Sequence, residues 1–144
     1  MKALFRVSPL VLIGLIAALT LSAAGDKKPV VWPASRVKWV VGPTMKGLSI
    51  APLWGDPSKG AYGALKKVPG GTDLGWHTHS SDQKVVAISG TFDFQLEGEA
   101  AKELSSGSYL FIPAGVKHTS KCRAGTDCVW FEESPGKGDY IPAK

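Results

Sequence analysis

The chain contains three histidines, and all three fall in two short stretches. His77 and His79 are separated by one residue, and Gln83 follows after Ser80, Ser81 and Asp82. Five residues separate Gly71 from His77, and six separate Gln83 from Gly90. The second stretch runs Gly107, five residues, Pro113-Ala114-Gly115, two residues, His118. Imidazole is a good ligand for Fe, Mn, Ni, Zn or Cu. Two histidines one residue apart on a strand point to the same face. Gln83 lies past a short bend and can turn its carbonyl oxygen to the same point. His118 must come from a distant strand, so such a site closes only when the fold does. The chemistry implied is one divalent first-row transition metal held by His77, His79, Gln83 and His118. The plainer alternative is a metal-free pocket that keeps the histidines as polar lining.

Three neutral imidazoles and a neutral amide leave the charge of a divalent ion uncompensated, which favours an anionic ligand. An amide cannot take up a proton, so Gln83 offers no general base. Tyr62 and Tyr109 are candidate pocket tyrosines, although core or rim packing with a wet hydroxyl explains each as well. Asp82 belongs to the bend and is expected to face solvent.

The elements that must position these residues are strands. Val30 to Trp32, Arg36 to Val41, Leu48 to Trp54 and Tyr62 to Val68 read as short extended runs, punctuated by Gly and Pro. Thr72 to His79 carries the first ligands. Gln83 to Ser89 and Thr91 to Glu97 read as a hairpin around Gly90. Phe92, Phe94 and Leu96 alternate with Asp93, Gln95 and Glu97, as in a strand with one wet face. Lys102 to Leu104, Ser108 to Ile112, Lys117 to Arg123 and Thr126 to Glu132 complete the series. The Gly- and Pro-rich tail from Glu133 is expected to pack loosely. Strands at this spacing, with no helical periodicity after residue 24, indicate an all-β sandwich or barrel.

With these residues in place, the two stretches resemble the paired motifs of the cupin superfamily: Gly-x5-His-x-His, three or four residues, Glu, six residues, Gly, then Gly-x5-Pro-x-Gly-x2-His-x3-Asn. Every spacing is kept. Two identities depart: Gln83 stands at the glutamate position and Cys122 at the asparagine position. The resemblance implies a single small jelly-roll barrel, strongest over about residues 45–132, and pairing through outer strands into a homodimer. Leu53-Trp54-Gly55-Asp56-Pro57 and the cysteine pair are similar to ChrR-like domains and small exported bacterial cupins of unassigned role. In some cupin dioxygenases the glutamate acts as general base; Gln83 does not carry that role over.

The start of the chain has a different character. Lys2 and Arg6 precede an apolar run from Leu10 to Leu21, followed by Ser22-Ala23-Ala24. That is the layout of a secretory signal, cleaved after Ala24. The run is short for a membrane span, so no stable anchor is expected after cleavage; an uncleaved anchor is the alternative. Residues 25–144 are then one cupin domain in the periplasm or outside the cell. Losing Lys2 and Arg6 leaves 15 Lys+Arg against 12 Asp+Glu, a formal charge of +3. The basic clusters, Lys66-Lys67 and Lys117, Lys121, Arg123, read as solvated faces, with no nucleic-acid partner. Cys122 and Cys128 flank a five-residue turn and are expected opposite each other at the base of a hairpin. Outside the cytoplasm such a pair oxidises, and the competing idea is a free thiol beside the metal.

Two functions fit these residues. One is an exported mononuclear metal-binding cupin acting as an oxygenase-type enzyme on a small anionic organic molecule, with lyase or isomerase chemistry next. The other is a non-catalytic cupin that binds or senses a small ligand through the same metal.

Overall fold

The computed structural model describes residues 28–144. Every element below belongs to one compact unit, Trp32–Lys144. The expected signal segment lies outside the described residues.

Among the described residues, eleven strands follow one 3-10 turn at Ala34–Arg36: β1 (Val40–Val41), β2 (Ser49–Gly55), β3 (Tyr62–Val68), β4 (His77–Thr78), β5 (Gln83–Ser89), β6 (Phe92–Leu96), β7 (Lys102–Leu104), β8 (Tyr109–Ile112), β9 (His118–Cys122), β10 (Cys128–Ser134) and β11 (Ile141–Pro142). They form two antiparallel sheets, ordered β1-β2-β3-β10-β5-β8 and β11-β4-β9-β6-β7. The two-residue side-chain period sets which face is dry. In β3, Tyr62, Ala64, Lys66 and Val68 are buried, and in β10, Cys128, Trp130, Glu132 and Ser134. In β5, Gln83, Val85 and Ala87 point in while Lys84, Val86 and Ile88 are exposed. Leu48, Ile50, Val85, Phe92, Trp130 and the two cysteines form the apolar core. This is the all-β jelly roll expected.

Two connections differ from the sequence reading. The runs on either side of Gly90 do not pair as a hairpin. β5 already has β10 and β8 on its two edges, and β6 has β7 and β9, so Gly90 carries the chain from one sheet to the other. A side chain there would meet Cys128 Sγ at 2.7 Å, and its φ of 75° is left-handed, so glycine is required on both counts. Cys122 and Cys128 are disulfide-bonded, which removes the free-thiol alternative. They do not close a hairpin, because β9 and β10 belong to different sheets, and the bond ties the sheets together.

The N-terminal runs are also shorter than expected. Val30 to Trp32 is not a strand, and of Arg36 to Val41 only Val40–Val41 pairs, against Ser49 and Ile50. Trp39, Val40 and Val41 are exposed, so their β propensity finds no buried surface to reward it. Thr72 to His79 keeps only His77–Thr78 as strand, plus an isolated bridge from Asp73 to Lys121. Gly75 interrupts it at a φ of 66°, with its N–H donated to Asp73 Oδ1 at 2.9 Å.

Candidate metal centre

His77 and His118 are direct cross-strand partners on β4 and β9. His79 lies just past β4, and Gln83 opens β5 in the facing sheet. All four are buried and line one cavity of about 80 Å³. At about 10–15 Å³ for each water on this measure, that holds a few waters or a small molecule. One ring nitrogen from each histidine lies within 4.8 Å of the others.

The backbone decides which nitrogen that is. His77 Nδ1 bonds the Gly75 carbonyl at 2.8 Å, His79 Nδ1 the Asp139 carbonyl at 2.7 Å and His118 Nδ1 the Val116 carbonyl at 2.9 Å. A carbonyl only accepts, so Nδ1 carries the proton in each ring and Nε2 presents its lone pair. The glycine turn at Gly75 therefore has a purpose at the site: it bends the chain so that its carbonyl meets the ring two residues on. Burial pushes His77 down to about 4, helped by His118 and His79 and opposed by the Gly75 bond. His79 and His118 are lowered too, again chiefly by burial. Asp139 Oδ1 lies 3.8 Å from His79 Nδ1. With a neutral ring this is no ion pair, and the carbonyl bond is the real contact. Three neutral imidazoles with converging lone pairs fit a transition metal, and His77, His79 and His118 could hold one. Gln83 is 3% exposed, and its amide is tied to no other described group, so it is free to face the cavity.

The two histidine stretches are latched to each other. Asp82 Oδ1 accepts the Ala114 N–H at 2.8 Å, and the Gly115 N–H donates to the His79 carbonyl at 2.9 Å. Asp82 thus holds the Pro113-Ala114-Gly115 corner in place.

Four residues of the site were not found from the sequence. Tyr140 stacks on His77 at 4.5 Å between ring centroids and donates its hydroxyl to the Leu74 carbonyl at 2.5 Å. Asp139 supplies the carbonyl for His79. Both lie in the tail expected to be loose; instead β11 pairs with β4 and brings them in. Lys66, expected on a solvated face, is 8% exposed and lines the cavity with Glu132, 3% exposed. Lys66 shares strand parity with Ala64 and Val68, and Glu132 with Trp130 and Cys128; that parity was the available signal. Glu132 Oε1 accepts from both the Lys66 ammonium and the Tyr62 hydroxyl, and Oε2 from Trp130 Nε1 at 3.2 Å. Burial alone would raise the Glu132 carboxyl, but Lys66, then Tyr62 and Trp130, outweigh it and hold the group below its ordinary range. Tyr62 is raised, first by burial and then by Glu132. Of the two candidate pocket tyrosines, Tyr62 is buried behind the wall and Tyr109 is exposed on the outer face.

Two facing antiparallel sheets around a cavity with this two-motif histidine set define a cupin. Solved structures agree at the level of the fold. The polyketide cyclase RemF from Streptomyces resistomycificus is 15% identical with a TM-score of 0.68, over 81% of this chain and 87% of that one. An RmlC-like cupin from Shewanella frigidimarina is 19% identical with a TM-score of 0.59, over 75% and 92%. A chain from the complex of Rhodobacter sphaeroides SigE with the anti-sigma ChrR is 20% identical with a TM-score of 0.55, over 71% and 50%. No curated protein sequence matches the chain. Residues 22–140 match the family described as a domain of unknown function, DUF4437, and the chain belongs to that family.

Proposed function

We propose that this cupin binds one divalent first-row metal through His77, His79, His118 and Gln83 and acts as an oxygenase-type enzyme on a small anionic molecule. The observation that carries the reading is a backbone carbonyl within 2.9 Å of Nδ1 in all three rings, which assigns the proton to Nδ1 and leaves each Nε2 lone pair for the cavity. When bound, such a metal supplies a Lewis acid and, if redox-active, electrons for O₂ chemistry. The chain's own residues bind and exclude. Leu48, Val85, Phe92, Leu110 and Ile112 keep the cavity apolar. Of the described lining carboxyl and hydroxyl groups, Glu132 is held ionised by three donors and the Tyr140 hydroxyl is donated to Leu74, while Asp139 accepts the Ser80 N–H through Oδ1 and is the side chain placed to take a proton.

The same histidines and cavity serve a second reading, a non-catalytic cupin that binds or senses its ligand. O₂ uptake by iron-loaded protein across a panel of small carboxylates decides between them. Uptake above the level of a His77→Ala control supports the enzyme; none from a protein that holds its iron leaves the binding role.

Export is part of the same proposal. Cleavage after Ala24 would release residues 25–144 to the periplasm or beyond, and the disulfide suits that compartment.

A further inference from the structure

We propose that Lys66 is the fixed cation that receives a carboxylate of the ligand, on the cavity wall facing the histidines. The proposal deepens the metal-site reading and rests on it: it names what holds the end of the ligand away from the metal. Lys66 and Glu132 come from β3 and β10 of one sheet, His77 and His118 from β4 and β9 of the other. Lys66 is the one lysine or arginine among the described cavity-lining residues. An ammonium has three N–H donors. Glu132 Oε1 takes one and the Tyr62 hydroxyl, at 3.4 Å, another. No third acceptor stands among the described residues, which leaves one donor for a guest.

Glu132 cannot serve a guest anion. Both its oxygens are engaged and it is negative. Its role is to position Lys66, and Tyr62 and Trp130 in turn fix Glu132, so three side chains determine where one charge sits. A pair kept only for stability is a poor use of a dry wall, because well-packed apolar residues of the same volume do as well or better. Charge held rigid beside an apolar cavity is what recognition of a small anion requires.

Cobalt(II)-loaded full-length protein tests this, with visible absorption of the metal as readout. Malonate and succinate probe both walls, their monoamides probe one, and azide probes the metal alone. The Lys66→Met, Glu132→Gln double variant removes both charges together and keeps the side-chain volumes. It is expected to hold cobalt and bind azide as the parent does, yet to lose more than roughly tenfold in dicarboxylate affinity. The parent is expected to prefer a dicarboxylate to its monoamide. Equal dicarboxylate affinity in parent and variant, or no preference over the monoamide, would overturn the role of Lys66. If the parent holds no cobalt, the metal reading fails instead. Calorimetry of malonate and succinate on the metal-free pair of proteins then decides Lys66 alone, by the same difference in affinity.

Discussion

Each histidine would offer the proposed metal a lone pair whose direction is set by a carbonyl behind it. Changing any one of His77, His79 or His118 to Ala should therefore lower metal affinity at least about tenfold, read by elemental analysis and chelator competition. Gln83→Ala should cost less than any of these, since an amide oxygen is the poorest donor and water replaces it; Gln83→Glu should raise affinity. An equal loss at all four positions would place Gln83 on a par with the imidazoles. The metal-free protein should also be acid-sensitive. His77 has its folded value near 4, against 6.5 for an ordinary histidine. The unfolded chain takes up more protons between those values, so the stability is whole above pH 6.5 and is lost as pH falls toward 4. Denaturation midpoints measured from pH 7 to 4 check this, and a flat profile contradicts it. Lys66→Met alone strands the Glu132 carboxylate and should cost roughly 3–5 kcal/mol, while the double replacement costs much less. The ligands were legible because histidine is scarce here and its spacing is kept. Lys66 and Glu132 were not read, because each has a like neighbour, Lys67 or Glu133, and a charged pair looks solvated until strand parity is followed.

Strands were legible where alternation or bulky apolar residues mark them: β3 and β5 have the expected ends, and β6, β8 and β9 differ by a residue or so. Pairing was not legible. The chain crosses between sheets at Gly90 and again between Cys122 and Cys128, and a turn sequence alone does not tell a hairpin from a crossing. Since the disulfide spans that second crossing over a short loop, its reduction should lower stability by about 2–3 kcal/mol. Thiol counting on unfolded, unreduced protein should find none. The tail misled for another reason. Gly136 and Gly138 suggest looseness, yet Ile141–Pro142 adds an edge to β4, and the Asp139 carbonyl orients His79. Truncation after Gly138 should thus reduce metal affinity by roughly 10–100-fold, as loss of a partner behind a ligand does. Unchanged affinity in that truncation would mean His79 orients without it.

At the scale of the molecule, an ion held as proposed by His77 and His118 of one sheet and Gln83 of the other would be a cross-link. Loaded protein should unfold at a higher temperature than stripped protein, by an amount that grows with free metal concentration. The outer face of the six-stranded sheet exposes Val86 and Ile88 of β5 beside Tyr109 and Phe111 of β8. An apolar strip of this kind fits the homodimer we infer; sedimentation of Val86→Lys against the parent should show monomer where the parent is paired. Intact mass of exported protein should start at Gly25, and a full-length species in the membrane fraction would mean an anchor. The late position of Asp139 has a consequence for how the protein is made. It lies 60 residues after the ring it orients. At roughly 5–20 residues per second, a ribosome delivers it about 3–12 s after His79. A nascent chain thus presents His77 and His79 as a loose, unselective chelate, and the finished centre is assembled only where the whole chain folds. If the protein is exported as proposed, the choice of ion would then pass from the cytosolic metal pool to that of the destination.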